Sequence, residues 1–185
     1  MSHVVCPWWI GYLLASPLRR WMQNPGEILR PHVREGMTVL DAGCAMGFFT
    51  LPLARLVGPA GTVIAVDLQE RMIRSLKRRA DRDGLGGRIE TRVCPSDRLE
   101  IEDLAGRVDF ALAFAVMHEV PEPAKFLAEI RESLAPGGRL LMAEPAGHVT
   151  PDEFEETVKL AVEAGFSVSE RPRIRRSRAV LLAVG

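Results

Sequence analysis

The chain has 185 residues, 47% hydrophobic and 26% charged, which suits one domain of ordinary globular composition and excludes a disordered chain. Lysine plus arginine and aspartate plus glutamate each number 24, so no net field steers the chain toward nucleic acid or an acidic membrane. The three cysteines Cys6, Cys44 and Cys94 lack CxxC spacing, which argues against a disulfide framework or a metal site and suits a reducing cytoplasm.

Residues 4–15 are apolar but contain Pro7 and Gly11, are too short to span a bilayer, and lack the basic start and cleavage site of a signal peptide. Within them CPWWIGYLL (6–14) concentrates Trp8, Trp9 and the chain's single tyrosine, Tyr12. Such a leader either covers an edge of the core or folds over a site and excludes water. Contact with a lipid surface, helped by Arg19 and Arg20, is a third use. Residues 1–35 are therefore read as a lid or substrate segment ahead of the core of a single domain, 1–185.

From Met37 onward strands and helices alternate. MTVLDA (37–42) predicts a first strand ending in an acid and a glycine-rich turn, and a helix follows over 48–57. TVIAVD (62–67) is a second buried strand. Residues 69–83 place Met72, Ile73, Leu76 and Ala80 on one helical face, and Gly84 to Gly87 end that helix. RIETRVC (88–94) and RVDFALAFAV (107–116) are the third and fourth strands. A helix over 123–134 has Phe126, Leu127, Ile130 and Leu134 as its inner stripe and stops at Pro136-Gly137-Gly138, before the fifth strand RLLMAE (139–144). Thr150-Pro151-Asp152-Glu153 carries a capping box for a helix to Ala164. Two last strands, 166–171 and 179–184, have no helix between them and so pair antiparallel. The arginines 171, 173, 175, 176 and 178 between them read as a solvated loop in preference to an anion site. Near-continuous apolar strands alternating with helices imply an α/β doubly wound sheet with helices on both faces.

The chemistry concentrates in Val39-Leu40-Asp41-Ala42-Gly43-Cys44-Ala45-Met46-Gly47-Phe48, where a strand enters a tight turn and a helix begins. Crevices beyond the strand ends are where such sheets bind ligands. Asp41 would repel a pyrophosphate and favour a cationic amino acid group such as the methionine part of S-adenosylmethionine. Taken from Gly43, the GxGxxG fingerprint fails at Ala45 and Phe48. A second acid, Asp67, stands at the end of the second strand, 20 residues after Gly47. It suits the ribose hydroxyls of an adenosine, and helix capping is its competing role.

Four stretches, VLDAGCAMGFFT (39–50), VIAVDLQERMI (63–73), VDFALAFAVMHEVPEP (108–123) and LAPGGRLLMAEP (134–145), span about 110 residues and resemble the class I (Rossmann-like) S-adenosylmethionine-dependent methyltransferases. Within them the likeness is to the broad small-molecule group that includes ubiquinone-biosynthesis enzymes. The resemblance implies a seven-stranded sheet of order 3-2-1-4-5-7-6 with strand 7 antiparallel. It also implies S-adenosylmethionine as cofactor, S-adenosylhomocysteine as product, and a small-molecule methyl acceptor. It assigns Asp41, Gly43, Cys44, Ala45 and Gly47 to the methionine side and Asp67 with Leu68 to ribose and adenine. Ser96 or Asp97 would meet the adenine amino group, and Phe114 and Ala115 would line the crevice after the fourth strand. Ala45 stands where the family commonly has glycine, which is tolerated where the turn keeps φ negative. His118 and Tyr12 are the candidate catalytic side chains, His118 as a group that orients the acceptor or takes its proton.

Other readings keep a place. Arsenite methyltransferases resemble this core and bind arsenic through thiolates, but the spacing of Cys6, Cys44 and Cys94 differs and that family's large C-terminal part is missing. Nucleic-acid amino methylases carry an Asn/Asp-Pro-Pro-aromatic stretch after the fourth strand, where this chain has Phe114-Ala115-Val116-Met117. A non-catalytic S-adenosylmethionine sensor, or one half of a partner-activated enzyme, is the alternative from another class. Monomer and homodimer both stay open.

Overall fold

The structure is a computed structural model and describes residues 23–185. The leader with Trp8, Trp9 and Tyr12, and with it most of the expected lid, lies outside the described residues. The elements are α1 (Pro25–Leu29), β1 (Thr38–Ala42), α2 (Thr50–Leu56), β2 (Thr62–Asp67), α3 (Glu70–Arg82), β3 (Ile89–Val93), β4 (Val108–Phe114), α4 (Pro123–Ser133), β5 (Leu134–Pro145), α5 (Pro151–Glu163), β6 (Phe166–Glu170) and β7 (Ser177–Val184).

The seven strands form one sheet in the order β3-β2-β1-β4-β5-β7-β6. β2 pairs parallel with β1 and with β3, β4 pairs parallel with β5, and β7 runs antiparallel between β5 and β6. This is the order expected from the sequence, with the reversed strand where a short connection demands it. The described residues gather into two compact units, 23–94 and 95–185.

In the first unit Val39, Leu40, Val63, Ile64 and Val66 are buried, as strands covered on both faces require. Helix α3 turns Met72, Ile73, Leu76 and Ala80 inward, the face its 3.6-residue period predicts. In the second unit α4 buries Phe126, Leu127 and Ile130, and α5 buries Phe154, Val158 and Ala161. The capping box of α5 forms as its sequence predicts: Glu153 N–H donates to Thr150 Oγ1 at 3.3 Å, and Thr150 N–H to Glu153 Oε2 at 2.8 Å. Arg171, Arg173, Arg175 and Arg176 lie in the β6–β7 connection, whereas Arg178, expected in the same loop, is already in β7 opposite Glu144. Arg171 forks onto Glu155 at 2.6 and 2.8 Å, and Arg178 Nε donates to the Val149 carbonyl.

One helix absent from the sequence reading and two shifted boundaries stand out. α1 is five residues long, too short to show a period, and its signal is the Asn24 cap whose side chain accepts from Gly26 N–H at 3.1 Å. α2 starts at Thr50 and not at Phe48, because the turn after β1 runs further. β5 starts at Leu134 and not at Arg139: Leu134 pairs with Val108 and Arg139 with Phe110, so Pro136-Gly137-Gly138 bulges out of a ladder that continues on both sides. Among the described residues no helix is long and apolar enough to cross a membrane.

Candidate cofactor site

In the unit 23–94, β1 and β2 run parallel with Asp41 opposite Ala65 and Ala42 opposite Val66. β2 runs one residue past the last pair, so Asp41 and Asp67 lie two register positions apart near the ends of neighbouring strands. The turn after β1 is tied to β2 by Gly43 N–H and Cys44 N–H, which both donate to the Val66 carbonyl at 2.9 and 3.0 Å. Gly43 and Gly47 sit at φ 82° and 84°, which glycine adopts without a steric penalty. At Gly47 a Cβ would also run into the Leu76 side chain of α3, which would have to shift. Its lack of a side chain thus serves the packing of α3 against the turn. From the same helix Arg79 Nη1 donates to the Met46 carbonyl.

Ala45 has φ 47°, against the negative φ its side chain prefers and the sequence reading expects. A non-glycine residue in this region costs about 1–2 kcal/mol. The conformation aims Ala45 N–H at Asp67 Oδ2, 2.9 Å away, while Asp67 Oδ1 accepts Gln69 N–H at 2.8 Å. Asp67 therefore clamps the turn after β1 to the entry of α3. Gln69 is the N-cap of α3 and makes no side-chain cap bond, so Asp67 supports the helix entry without being its cap. Burial pushes the Asp67 carboxyl above its ordinary 3.8, and the two backbone N–H groups partly offset it. Leu68 beside it is 40% exposed, an apolar side chain left at the surface.

Asp41 is only 3% exposed and accepts the Thr50 hydroxyl at 2.6 Å. Burial pushes its carboxyl up to about 7; the Thr50 bond lowers it and Asp67 raises it further. Thr50 escaped the sequence reading, although a polar first residue of the helix after a strand-end acid is its signal. Cys44 is buried, and burial, Asp41 and Asp67 in that order push its thiol well above 9.0, so it stays a protonated small hydrophobe. Among the described residues no group of three His, Cys, Asp or Glu is placed to hold a metal ion.

The unit 95–185 holds the other expected residues. Ser96 and Asp97 are exposed, with Asp97 Oδ2 3.8 Å from Lys125 Nζ. Phe114 is buried at the end of β4, and Ala115 follows at φ 57°, its N–H donating to the Ala143 carbonyl at 2.7 Å. His118 lies in the 3-10 turn Met117–Glu119, and its Nδ1 is hydrogen-bonded to Glu144 Oε2. That bond leads in raising the His118 pKa above 6.5; burial lowers it, and the charges of Glu144 and Glu119 add to the rise. Glu144, 1% exposed at the end of β5, also accepts Val116 N–H and Met117 N–H on Oε1 at 3.0 and 2.9 Å. The sequence reading missed it, although an acid closing the apolar run LLMAE is the same signal that singled out Asp41 and Asp67.

An S-adenosylmethionine group fits the first unit. A buried carboxyl whose pKa is raised by desolvation is stabilised by an arriving cation, and Asp67 keeps one lone pair on each oxygen after its backbone bonds. A methyltransferase-domain family model matches residues 33–171. An uncharacterised 37.1 kDa protein in transposon TN4556 of Streptomyces fradiae is 38% identical, covering 73% of this chain and 45% of that protein. A ubiquinone biosynthesis O-methyltransferase of Caulobacter sp. (strain K31) is 33% identical, covering 76% and 52%. The chain thus spans about half the length of the curated relatives it matches. A SAM-dependent methyltransferase from Aquifex aeolicus superposes with a TM-score of 0.87 at 25% identity, over 98% of this chain and 100% of that one. With the strand order, the paired strand-end acids and this match over most of its length, the chain belongs to the class I S-adenosylmethionine-dependent methyltransferases.

Proposed function

We propose that the chain transfers a methyl group from S-adenosylmethionine to a small-molecule acceptor by in-line displacement. The observation that carries this reading is the pair Asp41 and Asp67, closing adjacent parallel strands on either side of a turn with two positive-φ glycines. Asp41 is set to face the cationic amino acid end of the cofactor, whose charge offsets the desolvation of the carboxylate. Asp67 has acceptor capacity left for two ribose hydroxyls, and Leu68 offers apolar surface to the adenine. A pyrophosphate in the same place would meet two carboxylates and no side-chain cation from the turn 43–47.

The bound cofactor supplies a sulfonium, an already activated methyl donor. What remains for the protein is to hold and align the acceptor and to exclude water. Alignment alone reaches about 7–11 kcal/mol in favourable cases. A small-molecule acceptor is supported by the likeness to the Caulobacter ubiquinone biosynthesis O-methyltransferase. The buried, protonated Cys44 gives no support to a thiolate site for arsenic.

Calorimetry with S-adenosylmethionine, S-adenosylhomocysteine and NAD tests the cofactor. The first two bind and NAD does not; comparable NAD affinity rejects the reading. Labelled-methyl transfer by the purified chain to a panel of thiols, amines, phenols, quinones and lipids tests the activity. Cofactor binding with no transfer to any of them makes the chain a binding module or half of a partner-activated enzyme.

A further inference from the structure

We propose that Arg79 is a positioning residue for the turn 43–47: together with Asp67 it ends a chain of hydrogen bonds that holds this turn in its strained shape for the cofactor. The inference rests on the methyltransferase reading and adds to it a residue that lies outside both the turn and the strand ends.

Of the basic residues of α3, Arg71, Arg74, Lys77, Arg78 and Arg82 are exposed, and Arg79 alone is half-buried. It stands three residues after Leu76, whose side chain occupies the space a Cβ at Gly47 would take. Residues three apart share one side of a helix, so that side of α3 meets the turn twice. The second contact is polar: Arg79 Nη1 donates to the Met46 carbonyl.

From there the bonds of the turn run in one direction. The Met46 carbonyl and the Gly47 N–H belong to one peptide group, and that N–H donates to the Cys44 carbonyl at 3.0 Å. The Cys44 carbonyl and the Ala45 N–H belong to a second peptide group, and this N–H donates to Asp67 Oδ2 at 2.9 Å. Two peptide dipoles therefore lie head to tail, their N–H ends toward a carboxylate and their C=O ends toward a guanidinium. Hydrogen bonds in such a chain polarise one another, and an ionised group at each end strengthens the terminal bonds. Both peptide groups are fixed at both ends. Ala45, between them, is held at φ 47° against the preference of its side chain. Strain of this kind persists only where the surroundings over-determine it.

Asp67 fixes the Ala45 end of this chain and Arg79 the Met46 end. Without the guanidinium the Met46 carbonyl loses its charged donor, the peptide group 46–47 can rotate, and Ala45 can relax to negative φ. The cofactor then finds only a fraction of the chains with the turn in place, and its apparent affinity falls by that fraction.

Amide hydrogen exchange on the ligand-free full chain reads the turn, and calorimetry with S-adenosylhomocysteine reads the cofactor site; neither needs turnover. In Arg79→Met the Ala45 and Gly47 amides should exchange about tenfold faster, while the amides of Val63 to Val66 in β2 keep their rates, because a general loss of stability would speed both groups. S-adenosylhomocysteine should bind about tenfold more weakly. Arg79→Lys keeps a charged donor without the guanidinium fork and should recover part of the affinity. Ala45→Gly removes the strain that Arg79 opposes, so adding Arg79→Met to it should lower the affinity by only about threefold or less.

Unchanged affinity in Arg79→Met, an equal loss with and without Ala45→Gly, or faster exchange that extends into β2 overturns the proposal and leaves Arg79 as an anchor of α3 alone. Should Arg79→Met not fold, Arg79→Lys and Arg79→Gln, each with and without Ala45→Gly, decide by the same measurements. Failure of S-adenosylhomocysteine to bind the unaltered chain would reject the methyltransferase reading, while the ligand-free exchange still decides whether Arg79 holds the turn.

Discussion

Above pH 7 the Asp41 carboxyl is ionised inside the folded chain, although its surroundings favour the acid. Its folded pKa of about 7 lies above the ordinary 3.8. The folded state therefore holds a proton that the unfolded state releases, and this contribution to stability is full below 3.8 and lost as pH rises through 7. At 1.36 kcal/mol per unit, that shift amounts to at most about 4 kcal/mol. Asp41→Asn keeps an acceptor for Thr50 and carries no charge. Urea unfolding at pH 8 should show it more stable by about 2–4 kcal/mol, with cofactor affinity lowered at least tenfold. A variant equally stable at pH 8 would show that Asp41 is solvated when ionised.

Asp67 behaves differently because its oxygens are already engaged. Asp67→Ala removes the acceptors of Ala45 N–H and Gln69 N–H, so the apo chain should lose about 1–3 kcal/mol. Cofactor affinity should fall roughly 10- to 100-fold as the ribose hydroxyls lose their partner. Helix support alone predicts the first loss without the second, and calorimetry on the folded variant separates them. Ala45→Gly relieves the φ of 47°. It should raise the thermal midpoint by the equivalent of about 1 kcal/mol or less, since glycine's own entropy offsets part of the gain. A drop in the midpoint would show that the methyl packs.

Among the elements, those with a strong local signal were legible. The box Thr150-Pro151-Asp152-Glu153 marks the start of α5 because the side chains that satisfy its first N–H groups are themselves the sequence motif. Thr150→Ala should cost about 1 kcal/mol in the same unfolding assay, and Thr150→Ser should cost much less. A Thr150→Ala variant as stable as the parent would show that helix packing supplies the stability. β2 was legible to the residue, as five apolar or β-branched positions closed by Asp67. β5 was not, because the ladder resumes past Pro136-Gly137-Gly138, and a hydrogen-bonded bulge leaves the sequence signature of a turn. The methionine-side turn was legible by its glycines and Asp41, but the positive φ of Ala45 was not. It is imposed by Asp67, 22 residues away, through a single N–H···O bond. Glu144 was missed for a like reason. A strand-end acid is visible in sequence, but its three partners, Val116, Met117 and His118, are set by the register of β4 on β5.

For the whole molecule, cofactor binding and folding are linked, since a ligand that binds only the folded chain stabilises it by RT ln(1 + [L]/Kd), about 2.7 kcal/mol at 100 times Kd. The state of Asp41 makes that gain depend on pH. A cationic amino group pairs with the carboxylate and not with the acid, so below the folded value of about 7 a proton must leave before the ligand is held. Apparent affinity should then fall by up to about tenfold per pH unit below 7, about 1.4 kcal/mol of lost stabilisation each. Thermal shift with S-adenosylhomocysteine at fixed concentration, between pH 8 and pH 5.5, should show the ligand-induced rise shrinking through this window. The apo chain gains stability from Asp41 over the same descent, so the two curves converge from both sides. The Glu144 bond raises the His118 pKa above 6.5, and Asp41→Asn tells the two groups apart: the slope of ligand stabilisation against pH should flatten in that variant and persist in His118→Asn. A slope unchanged in Asp41→Asn would remove Asp41 from contact with the cation and leave Asp67 as the acid of the first unit that meets the cofactor.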